Sequence, residues 1–367
     1  MPKLRFPGFE GEWEWMPVSD LLTSMNDKPY QVRASEYHDY GLYDVVDQGK
    51  NDIVARSNLK SKLFTSVPII VFGDHTTISK YRDTPFIVGG DGVKLLKSNN
   101  NTNNLKYLYY AILKYGPKAE GYKRHFPILK EKRLPIPVNG EQHKISTFLS
   151  LLDCRIAAQR KLVELLKKHK RGLLDRIFER SKQTEKWKKY RLDQIAKINP
   201  SSESLPCEFF YIDLESVSDG VWHNKKVVKK ESAPSRAQRI IQKNDILFQM
   251  VRPYQQNNLH ITSSYDKPIV ASTGYAQIRT SQNPSFIYWL LHSRTFLRKV
   301  LLRCTGSSYP AINSSDLKEI YVSIPSLEDQ DQYARALNSI SQKCSIEESL
   351  VCHLENLKSG LLQQMFV

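Results

Sequence analysis

Apolar residues at Leu149, Leu152, Ile156, Val163, Leu166, Leu173 and Ile177 recur at alternating steps of three and four, with Gln159 and Lys170 as polar interruptions. That heptad rhythm predicts one long helix with a single apolar seam. No proline lies between Pro137 and Pro200 to break it. The rhythm returns at Leu337, Ile340, Cys344, Val351, Leu354, Leu361 and Met365, and no proline follows Pro325. Each helix of about 40 residues would run roughly 60 Å at a rise of 1.5 Å per residue. A helix of that length with one apolar seam needs a partner, and the nearest available partner is the other copy. Charge favours the mixed pair: Lys167, Lys168, Lys170 and Arg171 crowd the first helix, whereas Glu347, Glu348 and Glu355 mark the second.

Elsewhere the pattern changes. Short apolar runs such as Val67-Pro68-Ile69-Ile70-Val71-Phe72 and Pro85-Phe86-Ile87-Val88 are bounded by Gln48-Gly49-Lys50-Asn51, Gly73-Asp74 and Gly89-Gly90-Asp91-Gly92, and read as strands. The stretch Leu105–Tyr115 then reads as a short helix. A later block repeats the plan, with strand cores at Phe209-Phe210-Tyr211-Ile212, Ile246-Leu247-Phe248 and Pro268-Ile269-Val270, and a helical stretch over 286–302.

The two halves are copies. Residues 136–178 align without a gap onto 324–366. Ile136-Pro137 faces Ile324-Pro325, Gln142 faces Gln330, and Lys170-Arg171-Gly172-Leu173-Leu174 with Phe178 faces Lys358-Ser359-Gly360-Leu361-Leu362 with Phe366. Trp13 and Trp187 open the two variable blocks and are expected in their cores. The period is too long for a solenoid. It predicts an α+β protein: two mixed α/β modules, separated by two long helices that pair as an antiparallel coiled coil. The boundaries fall at 1–138, 139–183, 184–325 and 326–367. The pairing residues are Leu149, Leu152, Ile156, Val163, Leu166, Leu173, Leu337, Ile340, Val351, Leu354 and Leu361.

Composition sharpens this picture. Among 367 residues, 40% are hydrophobic and 25% charged, as in ordinary folded proteins. The formal net charge of +16 points to a polyanionic partner, most often nucleic acid. The five cysteines are scattered, odd in number and form no C-x-x-C pair, which argues against a disulfide framework or a zinc ribbon. With no apolar run long enough to span a bilayer and no secretory leader at Met1-Pro2-Lys3-Leu4, the expected location is cytoplasmic, with no membrane partner. No catalytic motif stands out. Gly89-Gly90-Asp91-Gly92-Val93-Lys94 lacks phosphate-loop spacing, the nine histidines form no H-E-x-x-H pair, and no methyltransferase signature occurs. No metal site is expected.

These features resemble the specificity subunit of type I restriction–modification systems. The resemblance rests on Pro2-Lys3-Leu4-Arg5-Phe6-Pro7-Gly8-Phe9 with Trp13, on Leu134-Pro135-Ile136-Pro137 leading to Glu141-Gln142, and on Thr305-Gly306-Ser307-Ser308-Tyr309-Pro310-Ala311-Ile312 before Ile324-Pro325 and Asp329-Gln330. Asp329 stands where Glu is commoner, and the first block carries Gly121-Tyr122-Lys123-Arg124-His125-Phe126 instead of a Thr-Gly-Ser motif. The resemblance implies that each block is a target recognition domain reading half of a split sequence in double-stranded DNA. It implies two modification (methyltransferase) subunits docked on the helices, joined by restriction (translocase/nuclease) subunits. The chain itself would bind no cofactor: S-adenosylmethionine belongs to the modification subunit, ATP and Mg to the restriction subunit.

Basic and amide-rich turns are the DNA-contact candidates, since Arg matches guanine edges, Asn or Gln matches adenine, and Lys or hydroxyls hold phosphates. In the first block these are Gln48, Lys50, Asn51, His75, Lys80, Arg82, Lys123 and Arg124. In the second they are Arg252, Tyr254, Gln255, Asn257, Ser308 and Tyr309, with Arg252 and Gln255 foremost. The competing reading is a coiled-coil scaffold with two protein-binding modules and no specific DNA target, which the basic charge disfavours. Another is an enzyme fused to a recognition module.

Overall fold

A computed structural model describes residues 2–366 except 101, 122, 181–185, 202–203 and 307. It divides into two compact units, one of residues 1–160 with 349–367, the other of residues 161–348. Each unit therefore contains one variable block together with segments of both long helices, Asn139–Asp175 and Leu327–Met365.

In the first unit, Glu14–Pro17 pairs with Arg133–Ile136 and closes the block on itself. One antiparallel sheet orders Leu22–Met25, Val93–Ser98, Ile69–Gly73 and Ser79–Arg82. A second sheet sets Phe86–Gly89 parallel to both Gln31–Val32 and Tyr43–Val46, with Ala55–Ser57 outside. The run Ile69-Ile70-Val71-Phe72 is apolar throughout because both its faces are covered. Ile69 and Val71 join the core between the sheets. Ile70 and Phe72 face the core that holds Tyr107, Leu108 and Ala111 of the helix Leu105–Tyr115.

The second unit repeats this. Lys188–Arg191 pairs with Tyr321–Ile324. One sheet orders Ala196–Ile198, Tyr275–Thr280, Ile246–Gln249 and Leu259–His260; the other orders Lys226–Lys229, Glu208–Ile212, Ile269–Ser272 and Ala237–Ile241. Alternation again splits one strand, Ile246 and Phe248 to one core and Leu247 to another. The helical stretch expected over 286–302 is two helices, Pro284–Leu291 and Arg294–Leu301. Ser293 breaks it: its hydroxyl accepts from Phe296 N at 3.2 Å and caps the second helix.

The seam positions are all turned inward. Leu149, Ile156, Val163 and Leu337 are buried, and Leu152, Leu166, Leu173, Ile340, Val351, Leu354 and Leu361 are half-buried. Pairing is antiparallel. In the first unit Asp153 meets Lys358 and Arg160 meets Glu355; in the second Lys167 meets Glu348. The helix ends finish in module cores. Phe366 packs against Trp13 and Tyr107, and Phe178 against Trp187 and Phe286. No helix among the described residues is long and apolar enough to cross a membrane.

Candidate nucleic-acid interface

The parallel strand pairs gather loops. In the first unit Val46 lies beside Val88, and Gly73 beside Val93, so the segments after residues 46, 73 and 89 emerge at one end of the module. Gln48 ties them together: its amide donates to Asp91 O at 3.1 Å and accepts from His75 N at 3.1 Å. Gly92, at φ +80°, makes room, since a Cβ there would lie 2.6 Å from Gln48 Nε2. The 120–125 loop joins through His125, which is fully buried. The Glu120 N–H donates to its Nε2 at 3.2 Å, so Nδ1 carries the proton and donates to Asp74 O at 3.0 Å. His75 Nδ1 lies 3.3 Å from Lys123 O. Gln48, His75 and Lys123 are thus brought together, with Lys50, Asn51 and Arg124 exposed nearby in sequence.

Lys80 and Arg82 are placed differently. Both are buried. Lys80 Nζ reaches Asp47 O at 2.8 Å and Asn51 O at 2.5 Å, and burial pushes its ammonium down from the ordinary lysine value against the pull of Asp47. Arg82 binds Asp44 at 2.9 Å and Asp52 at 3.2 Å. These two cations are internal struts that brace the 47–52 turn.

The second unit gathers its loops in the same way. Ile212 lies beside Ala271, Gln249 opposite Tyr275, and Ala237 opposite Ser272. Backbone bonds then join the turns: Thr273 N to Arg236 O at 2.8 Å, Met250 N to Gly274 O at 3.0 Å, and Arg252 N to Pro310 O at 2.7 Å. Arg252 and Gln256 both take left-handed φ values, +52° and +53°, and bracket the turn Pro253–Gln255. Non-glycine residues hold that conformation only where surrounding bonds fix it. Buried Gln249 is one such fixture, donating to Gln255 Oε1 at 2.9 Å and accepting from Asn257 N at 3.0 Å.

This turn presents side chains outward. The Arg252 guanidinium lies 4.3 Å from the centre of the Tyr309 ring. Tyr309 is 64% exposed and Tyr254 50% exposed. Gln255 and Ser308 are also exposed, whereas Asn257 is half-buried. The Thr305-to-Ala311 hairpin that carries Tyr309 closes by mutual backbone bonds of 2.9 and 3.0 Å. Ser307, at its tip, lies outside the described residues. Arg236 was not singled out by sequence, yet it is exposed at the same strand ends. Lys225 and Lys226 approach this end too, because Lys226 pairs with Tyr211. The lysine pairs at 225–226 and 229–230 were the available signal for them.

Each unit therefore offers a set of donors held on strand ends. Among the described residues, no group of three or more His, Cys, Asp and Glu side chains could hold a metal ion.

Comparison with known proteins agrees with the duplication. The family model described as the type I restriction modification DNA specificity domain matches twice, over residues 10–168 and 184–356. A type I restriction enzyme specificity subunit of Methanocaldococcus jannaschii is 21% identical over 388 residues, covering 96% of this chain and 91% of that protein. One from Escherichia coli is 24% identical over 371 residues, covering 94% and 91%. In fold, the chain is similar to the crystal structure of a type I restriction–modification S subunit from M. genitalium, with a TM-score of 0.69 and 18% identity over 100% of this chain and 99% of that one.

Proposed function

The chain belongs to the type I restriction–modification DNA specificity family, and from that premise we propose that its two modules each read one half of a bipartite site in double-stranded DNA. As a specificity subunit it recognises DNA and does not catalyse. The observation that carries the two-module reading is the equivalent convergence of loops in each unit. Gln48, His75 and Lys123 in one, and Arg252, Gln255 and Tyr309 in the other, sit at the ends of paired strands on a rigid frame. Bases are read by such precisely held amide and guanidinium groups, and phosphates by the cations around them.

The contact set is Gln48, Lys50, Asn51, His75, Lys123 and Arg124 in the first module. In the second it is Arg236, Arg252, Tyr254, Gln255, Ser308 and Tyr309. Lys80 and Arg82 act behind it. Two modification subunits dock on the paired helices and bring S-adenosylmethionine. Restriction subunits bring ATP and Mg. The complex works on DNA in the cytoplasm.

The test is methylome sequencing of cells that express the chain with its modification subunits. A split adenine-methylated site is expected. Exchanging residues 1–138 for the block of another family member should change one half-sequence and leave the other intact. Change in both halves would overturn modular reading. Methylation by the purified chain, free of partner by mass spectrometry, would overturn the division of labour.

A further inference from the structure

Among the differences between the copied helices, one lies beside an aromatic ring of each module. In the first unit Lys358 lies 5.7 Å from the centre of the Tyr110 ring, and its ammonium is paired with Asp153 at 2.5 Å. Asp153 also accepts from the Tyr110 hydroxyl at 2.7 Å. That arrangement is closed: the cation, the acid and the phenol satisfy one another.

The aligned helix residues of the second unit are Lys170 and Ser341, and Trp289 holds the same position after the Asn283 cap that Tyr110 holds after the Asn104 cap. Lys170 lies 5.8 Å from the Trp289 ring, nearly the same geometry. The acid is gone. Ser341 stands where Asp153 stands in the other copy, and the Trp289 indole donates instead to Asn338 at 2.8 Å. Among the described residues, Lys170 makes no ion pair. A cleft of about 420 Å³ opens here, lined also by Arg171, Gln255 and Arg294. Of its two carboxylates, Asp175 is paired with Arg294 at 3.3 Å, and Asp219 acts on Lys167, whose pKa it helps to raise. Lys167, on the same wall, is paired with Glu348. Lys170 and Arg171 are the charges left to meet a ligand.

We propose that this cleft takes one backbone phosphate of the DNA read by the second module. The proposal rests on the DNA-reading function above and adds a contact from the helix. A lysine half-covered by an indole has given up part of its hydration, so an oxyanion is its natural partner. The identity of that oxyanion follows from Gln255. This side chain belongs to the base-reading turn and lines the cleft as well, so a strand running past the turn brings its next phosphates to Lys170 and Arg171. The first unit has no equivalent contact, because Asp153 already fills the place of the phosphate and Ser359 replaces Arg171.

Ser341→Asp tests this directly, since it restores the acid that pairs with the lysine in the other copy. Ser341→Asn controls for size, and Lys170→Gln removes the cation. Each is assembled with modification subunits on duplex DNA carrying the methylated site, and affinity is measured against salt concentration. Ser341→Asp and Lys170→Gln should each weaken binding several-fold, uniformly across sequences, and reduce the magnitude of the log–log salt slope by about one. Ser341→Asn should bind like the natural protein, and the methylated sequence should not change. Natural slopes in both charge variants would overturn the proposal. So would calorimetric binding of inorganic phosphate that Ser341→Asp abolishes while DNA affinity stays unchanged, which would mark a free-anion site. Absence of any salt-dependent DNA binding by the natural complex would instead refute the DNA-reading function itself.

Discussion

Arg5 grips Glu141 with two nitrogens, Nε to Oε1 at 2.7 Å and a terminal nitrogen to Oε2 at 2.9 Å. The Glu141 carboxylate is fully buried, while Arg5 also donates to Gly11 O at 2.7 Å. The N-terminal segment is thereby fastened to the start of the first long helix. Leu4 N, donating to Gln364 O at 2.9 Å, fastens it to the end of the second. Arg5→Ala should lower the melting temperature, because it strands a buried charge. Adding Glu141→Gln should recover part of the loss, since a neutral amide is less costly to leave unpaired. If the double variant melts no higher than Arg5→Ala, the stranded charge is not the cause.

Gln142 and Gln330 perform one task twice. Gln142 donates to Pro137 O at 2.9 Å and accepts from Asn104 N at 2.9 Å. Gln330 donates to Pro325 O at 3.0 Å and accepts from Asn283 N at 3.1 Å. Asn104 and Asn283 in turn cap the module helices, accepting from Tyr107 N at 3.0 Å and Phe286 N at 2.9 Å. Replacing either glutamine with alanine leaves buried groups unsatisfied, at a cost of about 1–3 kcal/mol. Amide exchange should accelerate at Asn104 to Tyr107 in Gln142→Ala and at Asn283 to Phe286 in Gln330→Ala, with little change in the other module. Equal acceleration in both modules would contradict a local clamp.

The long helices and the paired glutamines were legible in sequence because they depend on local period and on exact repetition. The strand cores were legible for the same reason: Ile69 to Phe72 is apolar wherever it lands. The roles of Lys80 and Arg82 were not. Their acids, Asp44, Asp47 and Asp52, are distant in sequence and arrive through strand pairing. A cation beside a turn then looks like a ligand contact until its carboxylates are in view. Arg236 and the Lys170–Ser341 pair were hidden by the same nonlocality. Repetition also obscured the second of these, because what matters there is an acid, Asp153, that was not copied.

His260 gives a pH dependence of defined sign. Its ring stacks on Tyr288 with centres 5.9 Å apart, its Nε2 is buried without a partner among the described residues, and burial pushes its pKa down to about 4. The unfolded chain titrates this group near 6.5, so between about pH 6.5 and 4 the unfolded state binds more protons. Its contribution is complete above about pH 6.5 and is lost as pH falls toward 4, by at most about 1.4 kcal/mol per unit. His260→Phe should flatten the acid limb of a melting-temperature profile relative to the natural chain. An unchanged difference between pH 7 and pH 5 would rule out this histidine as the source.

Arg252 and Arg82 should behave oppositely when removed. Arg252 lies over the exposed Tyr309 ring on a turn fixed by Gln249, with its charge outward and without a carboxylate partner among the described residues. Arg82 is buried against Asp44 and Asp52. Arg252→Ala should therefore leave the melting temperature nearly unchanged. It should weaken binding to the methylated site by about 1–3 kcal/mol and relax the base preference at one position of the second half-sequence only. Tyr309→Ala should reproduce part of that effect, because the ring holds the guanidinium in place. Arg82→Ala should lower the melting temperature and uncouple the 47–52 turn, reducing DNA affinity only as far as that turn moves. Methylome sequencing and competition binding separate the cases. If Arg252→Ala relaxes both half-sequences, or if Arg82→Ala alters base preference in a fully folded protein, the assignment of one arginine to the interface and the other to the frame is reversed.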